Sequence, residues 1–517
     1  MSEGKTHRAP IKFSGLPAIL RSPMLLLGLL AAQFALAQLL TGVQFGDATR
    51  NMHWGLLTFE NPAFLLGDVD RAERINGFPP DPASLGPNER WGNGYHSFHS
   101  WWGPVAPLIF ATVWGITRSY TLLQLVVPVA GGITVILTFM IARDLLDQRR
   151  ALLATVFLSC FPLFREYSSV SYIETLSALW ITTAFLSYLR GRTATTVLFG
   201  TLATLSKMDM LAMYGGVIAV CAAWDVLRRE GRYPLRHHII ALVIPLLLAT
   251  PWIWFHTLNT GNRMPTEPLS AEIFGFLLPQ LIEMTFYAPL SISLISLAVI
   301  GIVIAAGLHA RAIPTLPTLL LGTWIGIGFL ITLVYGATPG AGNSPRIIIP
   351  ALPALAILFG AGMPALPSRL RSVISIYIIA LFIAVNIKVI DYETTRYGAQ
   401  IRAAAPAFAT LRESERGFVL TPLYWETILY TRQPATWFES DRTFEHNMMR
   451  NEINFAHYVE SNPIRYVLLP RIGDIASPEV RAYLDTHART INSGEMILYV
   501  LSKPEHMQRP ALPIAIL

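Results

Sequence analysis

From residue 24 to residue 390 the sequence is a series of apolar blocks, mostly about 20 residues long, divided by short polar turns. A helix that crosses a bilayer needs a run of that length, and no water-soluble fold supplies a reason for so many in succession. Candidate spans lie at 24–43, 120–142, 151–165, 171–189, 194–208, 211–227, 238–256, 289–308, 317–335, 347–365 and 372–390. Composition agrees. Of the 517 residues, 53% are hydrophobic and only 14% are charged, where a soluble chain carries roughly 25%. The expected fold is an α-helical polytopic membrane protein of about eleven spans.

From residue 391 onward the chain reads as a soluble domain. Segments 416–421, 435–438, 465–470 and 495–501 have strand character, and 423–430, 442–460 and 478–487 have helical character. That alternation predicts a small α/β sheet. It carries no Gly-rich phosphate loop and so receives no nucleotide site. The expected division is 1–390 for the membrane domain and 391–517 for the α/β domain.

Lysine and arginine set the orientation. The N-terminal stretch with Lys5, Arg8, Lys12 and Arg21 precedes a first apolar run too long for a typical signal segment. We read it as a retained span with its basic end in the cytoplasm. The junctions on that side hold Arg143, Arg149, Arg150, Arg190, Arg192, Arg228, Arg229, Arg232, Arg236, Arg311, Arg369 and Arg371. The short opposite junctions hold only Arg165, Lys207, Arg263 and Arg346. This bias is the positive-inside pattern. It places outside the loop 44–119, the loop 257–288 and the C-terminal domain. An apolar piece at 104–116 is too short to span comfortably, and we read it as a re-entrant or interfacial helix opened by Pro104 and Pro107. The net charge of +6 reflects these inward arginines and not nucleic-acid binding. Cys160 and Cys221 both sit in apolar blocks and read as core residues.

Ionisable groups at span ends are costly in lipid, which makes each a functional candidate. Asp47 follows the first span at once, in Phe45-Gly46-Asp47-Ala48-Thr49-Arg50. Arg165, Glu166 and Glu174 flank one outward turn, and Lys207 and Asp209 occupy the next. His256 closes the seventh span, Arg346 precedes the tenth, and His96 and His99 lie before Trp101-Trp102 in the first loop. A carboxylate can take a proton from an attacking hydroxyl. Lysine and arginine can hold a departing phosphate. Each residue also has a plainer reading. Asp47 also reads as a loop carboxylate, Glu166 more readily so, Glu174 as an acid at a helix N-terminus, and Lys207 and Arg346 as snorkelling anchors. The histidines fit no zinc spacing and read as interfacial residues.

The order of these elements resembles the GT-C glycosyltransferases, in particular the protein O-mannosyltransferases and the lipid A aminoarabinose transferases. The resemblance covers roughly 24–390. It rests on the acid after the first span, the long first loop with its Pro-opened helix, and the inner turn Ala142-Arg143-Asp144-Leu145-Leu146-Asp147-Gln148-Arg149-Arg150. It continues with Ser171-Tyr172-Ile173-Glu174, Leu205-Ser206-Lys207, Ala249-Thr250-Pro251-Trp252, and the segment from Arg346 through Pro350 and Pro353. Here Ala48 follows the first acid, and Arg346 is not followed by Tyr.

The resemblance implies a GT-C-like membrane domain followed by a periplasmic α/β domain, in the inner membrane of a bacterium. It implies inverting transfer of a sugar from a polyprenyl-phosphate-linked donor to a hydroxyl acceptor at the periplasmic face, with no cofactor assigned and metal dependence left open. Asp47 would be the general base and Glu174 the second acidic site, an assignment that Glu166 contests. Lys207, Arg346 and Arg165 would bind the donor phosphate, and His96, His99, Glu166 and His256 would line the acceptor or sugar pocket. The alternative class is a transporter or flippase of a lipid-linked or amphipathic substrate. It is disfavoured because no inverted repeat is visible and the ionisable groups gather at one face.

Overall fold

The structure is a computed structural model. It describes residues 23–44, 47–60, 62, 65, 103–228, 233–259, 271–336, 345–395 and 397–409. In the C-terminal part it describes 418–421, 424–431, 435–436, 455–456, 459–460, 464–471 and 476–502. The chain is a multi-pass helical membrane protein with a small C-terminal sheet. Among the described residues, eight helices are long and apolar enough to cross a membrane: Pro23–Thr41, Tyr120–Leu145, Asp209–Arg228, Leu235–Trp254, Leu290–His309, Thr315–Val334, Pro345–Ala365 and Ser368–Ile390.

The other three expected spans are shorter helices, Gln148–Cys160, Ile173–Leu189 and Thr193–Thr204. The run at 151–165 is split for a local reason. Phe161 precedes Pro162, and the residue before a proline is driven out of the helical region. Phe161 is extended (φ −63°, ψ 119°), and Pro162 opens the separate helix Pro162–Ser169. The Asp147 carboxylate accepts from the backbone N–H groups of Arg149 and Arg150 at 2.9 and 3.0 Å, capping the first of these helices in the usual way.

The helix Ser368–Thr395 shows how a span divides its faces. Val373, Ile376, Ile379, Ile383 and Ile387 are exposed, while Ile374, Ile378, Phe382, Val385 and Val389 are buried. Both faces are apolar, as a lipid-facing helix requires. The inward faces meet in one large core with Phe157, Phe161, Phe185, Trp324, Phe359 and Phe382. The expected interfacial helix is the helix Val105–Thr117. Three helices were not foreseen: Asp47–Glu60, Ala271–Phe286 and Tyr397–Ala409.

The C-terminal strands are β1 (Phe418–Leu420), β2 (Ala435–Thr436), β3 (Ile464–Pro470), β4 (Ala488–Ser493) and β5 (Met496–Leu501). Their order in the sheet is β2-β1-β3-β5-β4. β1 is parallel to β2 and β3, and β5 is antiparallel to β3 and β4. β4 and β5 form a hairpin through Gly494, whose φ of +62° suits a tight turn. Alternate residues face opposite sides. Leu420, Val467, Leu469 and Tyr499 meet Val480 and Leu484 of the helix Pro478–His487. Val419, Tyr466, Leu468 and Leu498 meet Ile401 and Phe408, together with Trp54 and Leu57 of the helix Asp47–Glu60. The helix that begins at Asp47 thus shares a core with one face of the sheet.

Candidate active site

Four turns meet at one end of the helical bundle, and each contributes a charged group. Asp47 opens its helix directly after the first span. Its neighbour Arg50 lies one turn on, with Nη2 2.7 Å from the carboxylate. Arg346 stands at the start of the 3-10 segment Pro345–Ala351 and reaches the other Asp47 oxygen at 2.5 Å. Its Nε lies 3.3 Å from Glu174 Oε1. That same oxygen accepts from Lys207 Nζ at 3.2 Å, and Lys207 stands 3.3 Å from Asp209. The result is a chain of alternating sign: Arg50, Asp47, Arg346, Glu174, Lys207, Asp209.

Alternation is what makes burial tolerable, since a lone charge at this depth would be expensive. The chain is graded in exposure. The Asp47 side chain is 27% exposed and that of Arg346 19%, against 2% for Glu174 and 1% for Asp209. Asp47 and Arg346 thus form the open end. Burial pushes the Asp47 carboxyl up, but the guanidiniums of Arg346 and Arg50 more than offset this and hold it at about 2.

Backbone contacts fix the turns to one another. Ser171 N–H donates to Gln44 Oε1 at 2.8 Å, and Asn51 Nδ2 donates to Ser171 O at 3.0 Å. These bonds tie the Asp47 turn to the turn before Glu174. Tyr430, on the helix Tyr424–Thr431, accepts from the Gln44 backbone N–H and donates to Gln44 O. Gly103 N–H donates to Ser206 O at 3.0 Å. A Cβ at Gly103 would stand 1.5 Å from Leu205 O, so only glycine lets the first loop return this close to the Lys207 turn. Tyr172 lies under Arg346, with the guanidinium carbon 5.2 Å from its ring centre.

No protein-family model matches the sequence, and no curated protein matches it. Solved structures do. ArnT from Cupriavidus metallidurans, solved bound to undecaprenyl phosphate, superposes with a TM-score of 0.61 at 13% identity, covering 93% of this chain and 98% of its own. The archaeal oligosaccharyltransferase AglB from Archaeoglobus fulgidus, solved with an inhibitory peptide and a dolichol-phosphate, gives 0.52 at 11% identity, covering 93% and 74%. The arabinofuranosyltransferase AftD from Mycobacteria gives 0.51 at 14% identity, covering 93% of this chain and 40% of its own. The chain has the GT-C fold.

Within this GT-C fold the charged chain joins Asp47, Glu174, Lys207, Asp209 and Arg346 from among the sequence candidates. Arg165 sits on the helix Pro162–Ser169 and donates to Asn386 at 3.4 Å. It lines a groove of about 390 Å³ whose other walls are mainly apolar, including Phe157, Phe359, Ile378 and Phe382. Glu166 is buried on the same short helix. His96 and His99 lie outside the described residues. His256 belongs to the helix Leu235–Asn259, and its side chain also lies outside them. Among the described residues, no group of three or more His, Cys, Asp or Glu side chains is placed to hold a metal ion.

Sequence reasoning did not assign roles to Arg50, Asp209, Tyr172 or Gly103. Spacing offered a hint for two. Arg50 follows Asp47 by three residues on one helix face, a pairing distance, and Asp209 follows Lys207 within one turn.

Proposed function

We propose that the protein is a membrane glycosyltransferase that moves a sugar from a polyprenyl-phosphate-linked donor to a hydroxyl acceptor at the periplasmic face of a bacterial inner membrane. The observation that carries this reading is the Asp47–Arg346 pair at the open end of a buried charge chain, on a fold shared with glycosyltransferases. A transporter reading has no comparable support.

In the proposed reaction the acceptor oxygen attacks the anomeric carbon while the bond from that carbon to the phosphate oxygen breaks. The hydroxyl proton passes to Asp47, and the phosphate leaves on its carrier. Attack opposite the leaving group inverts the anomeric centre. Arg346 and Lys207 neutralise the charge that develops on the phosphate, with Arg165 at the groove that accommodates part of the carrier tail. Glu174 holds Arg346 and Lys207 apart at fixed positions and orients the sugar or acceptor. Glu166, His96, His99 and His256 supply the acceptor or sugar pocket. Residues 1–390 form the catalytic membrane domain, and 391–517 a periplasmic domain that buttresses the Asp47 helix.

A carboxylate held at about 2 is a weak base, and the charge chain suggests how it is released. The six groups carry three charges of each sign when ionised, so a donor phosphate enters a site that is already balanced. Its oxygens compete with Asp47 for Arg346. Losing that partner raises the Asp47 carboxyl and makes it a better proton acceptor. Donor binding then arms the base for the acceptor.

Assay of a panel of radiolabelled polyprenyl-phosphate sugars in proteoliposomes tests the reading. Transfer of label to an acceptor supports it. Movement of intact lipid-linked sugar across the bilayer without bond cleavage overturns it in favour of the flippase.

A further inference from the structure

A second cavity opens at the other end of the bundle, about 680 Å³ in volume. It lies where the helices Asp209–Arg228 and Leu290–His309 end and the helix Thr315–Gly336 begins. Its polar lining comprises Arg228, Arg311, Thr315 and Thr318, and among the described residues no carboxylate lines it. Ile304, Leu308 and Leu358 form an apolar wall. The cavity floor is fixed by a close helix crossing, where a Cβ at Gly307 would meet Gly362 Cα at 2.8 Å.

Neither guanidinium is matched by an acid among the described residues. Asp225, one turn before Arg228, is committed to His238 at 2.9 Å and to the Tyr233 backbone N–H at 3.2 Å. Arg228 instead lies over the Trp224 ring, its guanidinium carbon 4.7 Å from the ring centre. Stacking leaves the edge of the guanidinium free to donate to an anion. This end of the bundle carries the arginine-rich junctions, so in the expected topology it faces the cytoplasmic leaflet.

We propose that this cavity binds an anionic glycerophospholipid. Its phosphodiester lies between Arg228 and Arg311, with Thr315 and Thr318 as further donors. One acyl chain follows the wall of Ile304, Leu308 and Leu358. Basic pockets between spans on the cytoplasmic side recognise acidic headgroups by this chemistry. The site is distinct from the Asp47 cluster and does not depend on any reading of that cluster.

The test is native mass spectrometry of the full chain, titrated separately with phosphatidylglycerol, phosphatidylcholine and inorganic phosphate. The wild type should retain phosphatidylglycerol in preference to phosphatidylcholine. Each arginine removed should weaken binding roughly fivefold, and the pair about thirtyfold, so that Arg228→Ala/Arg311→Ala loses the preference. Should that variant fail to fold, Arg228→Lys/Arg311→Lys keeps both charges and is expected to keep a reduced preference. Full preference in the alanine pair, or no preference in a folded lysine pair, overturns the proposal. So does binding of inorganic phosphate as tight as that of the lipid, which would make this a free-anion site.

Discussion

Arg346 Nη2 lies 2.5 Å from Asp47, although the two residues are separated by most of the chain. The same side chain turns its Nε to Glu174 at 3.3 Å. One planar guanidinium thus joins the carboxylate after the first span to the carboxylate at the head of the helix Ile173–Leu189. Lysine, with a single point charge, could not span both in the same way.

Arg346→Lys and Arg346→Ala are therefore expected to differ in kind. Loss of a charge-assisted contact to the donor phosphate should raise the donor KM roughly 10- to 150-fold in the alanine variant, and less in the lysine variant. The alanine variant should also let the Asp47 carboxyl rise, which moves the acid limb of kcat/KM to higher pH. Donor titrations across pH check both. An unchanged KM would remove Arg346 from the phosphate site.

The ion pairs of Asp47 should show in stability. Its folded value of about 2 lies below the roughly 3.9 of a free aspartate. A depressed carboxyl contributes its full stabilisation above about 3.9, and that contribution is lost as pH falls through about 2. The gap in melting temperature between wild type and Asp47→Asn should hold from pH 7 to about 5 and shrink below about 4. A gap that widens on acidification would contradict the pairing.

Glu174→Ala should cost about 3–5 kcal/mol of stability, because it leaves Lys207 and Arg346 facing a vacated buried site. Glu174→Gln keeps an acceptor oxygen and should lose less. Thermal unfolding in detergent separates them. Equal melting of all three proteins would show that the buried pair contributes nothing.

Much of this site was out of reach of pattern reading. Asp47, Glu174, Lys207 and Arg346 stand out in the sequence because each is ionisable beside an apolar block. Their mutual contacts do not, since they depend on how four turns close on one another. Eight of the eleven expected spans were legible by length, while the runs at 151–165, 171–189 and 194–208 form shorter helices, the first because Pro162 drives Phe161 out of the helical region. Strand β4, Ala488–Ser493, was missed because Ile491 is its one large apolar residue and the strand lies at the sheet edge. The helix Asp47–Glu60 was missed because its apolar residues face the C-terminal sheet and the helix Val105–Thr117, neither of them adjacent in sequence.

Gly103→Ala should reduce transfer at least about tenfold, by displacing the Lys207 turn from its position beside Glu174. The added Cβ would overlap Leu205 O. Gly28→Ala is the control, because a Cβ there meets nothing within 4 Å, and its activity should match wild type. Normal transfer by Gly103→Ala would show that the first loop does not hold this turn.

The central claim, that Asp47 accepts the acceptor's proton, is tested most directly by sugar transfer in proteoliposomes with the wild type and Asp47→Asn. Asparagine keeps the shape of the side chain and removes the base. The account predicts that a folded Asp47→Asn protein loses transfer by at least about 100-fold while still binding the lipid-linked donor. Transfer at the wild-type rate would contradict it and move the search for the base to Glu174.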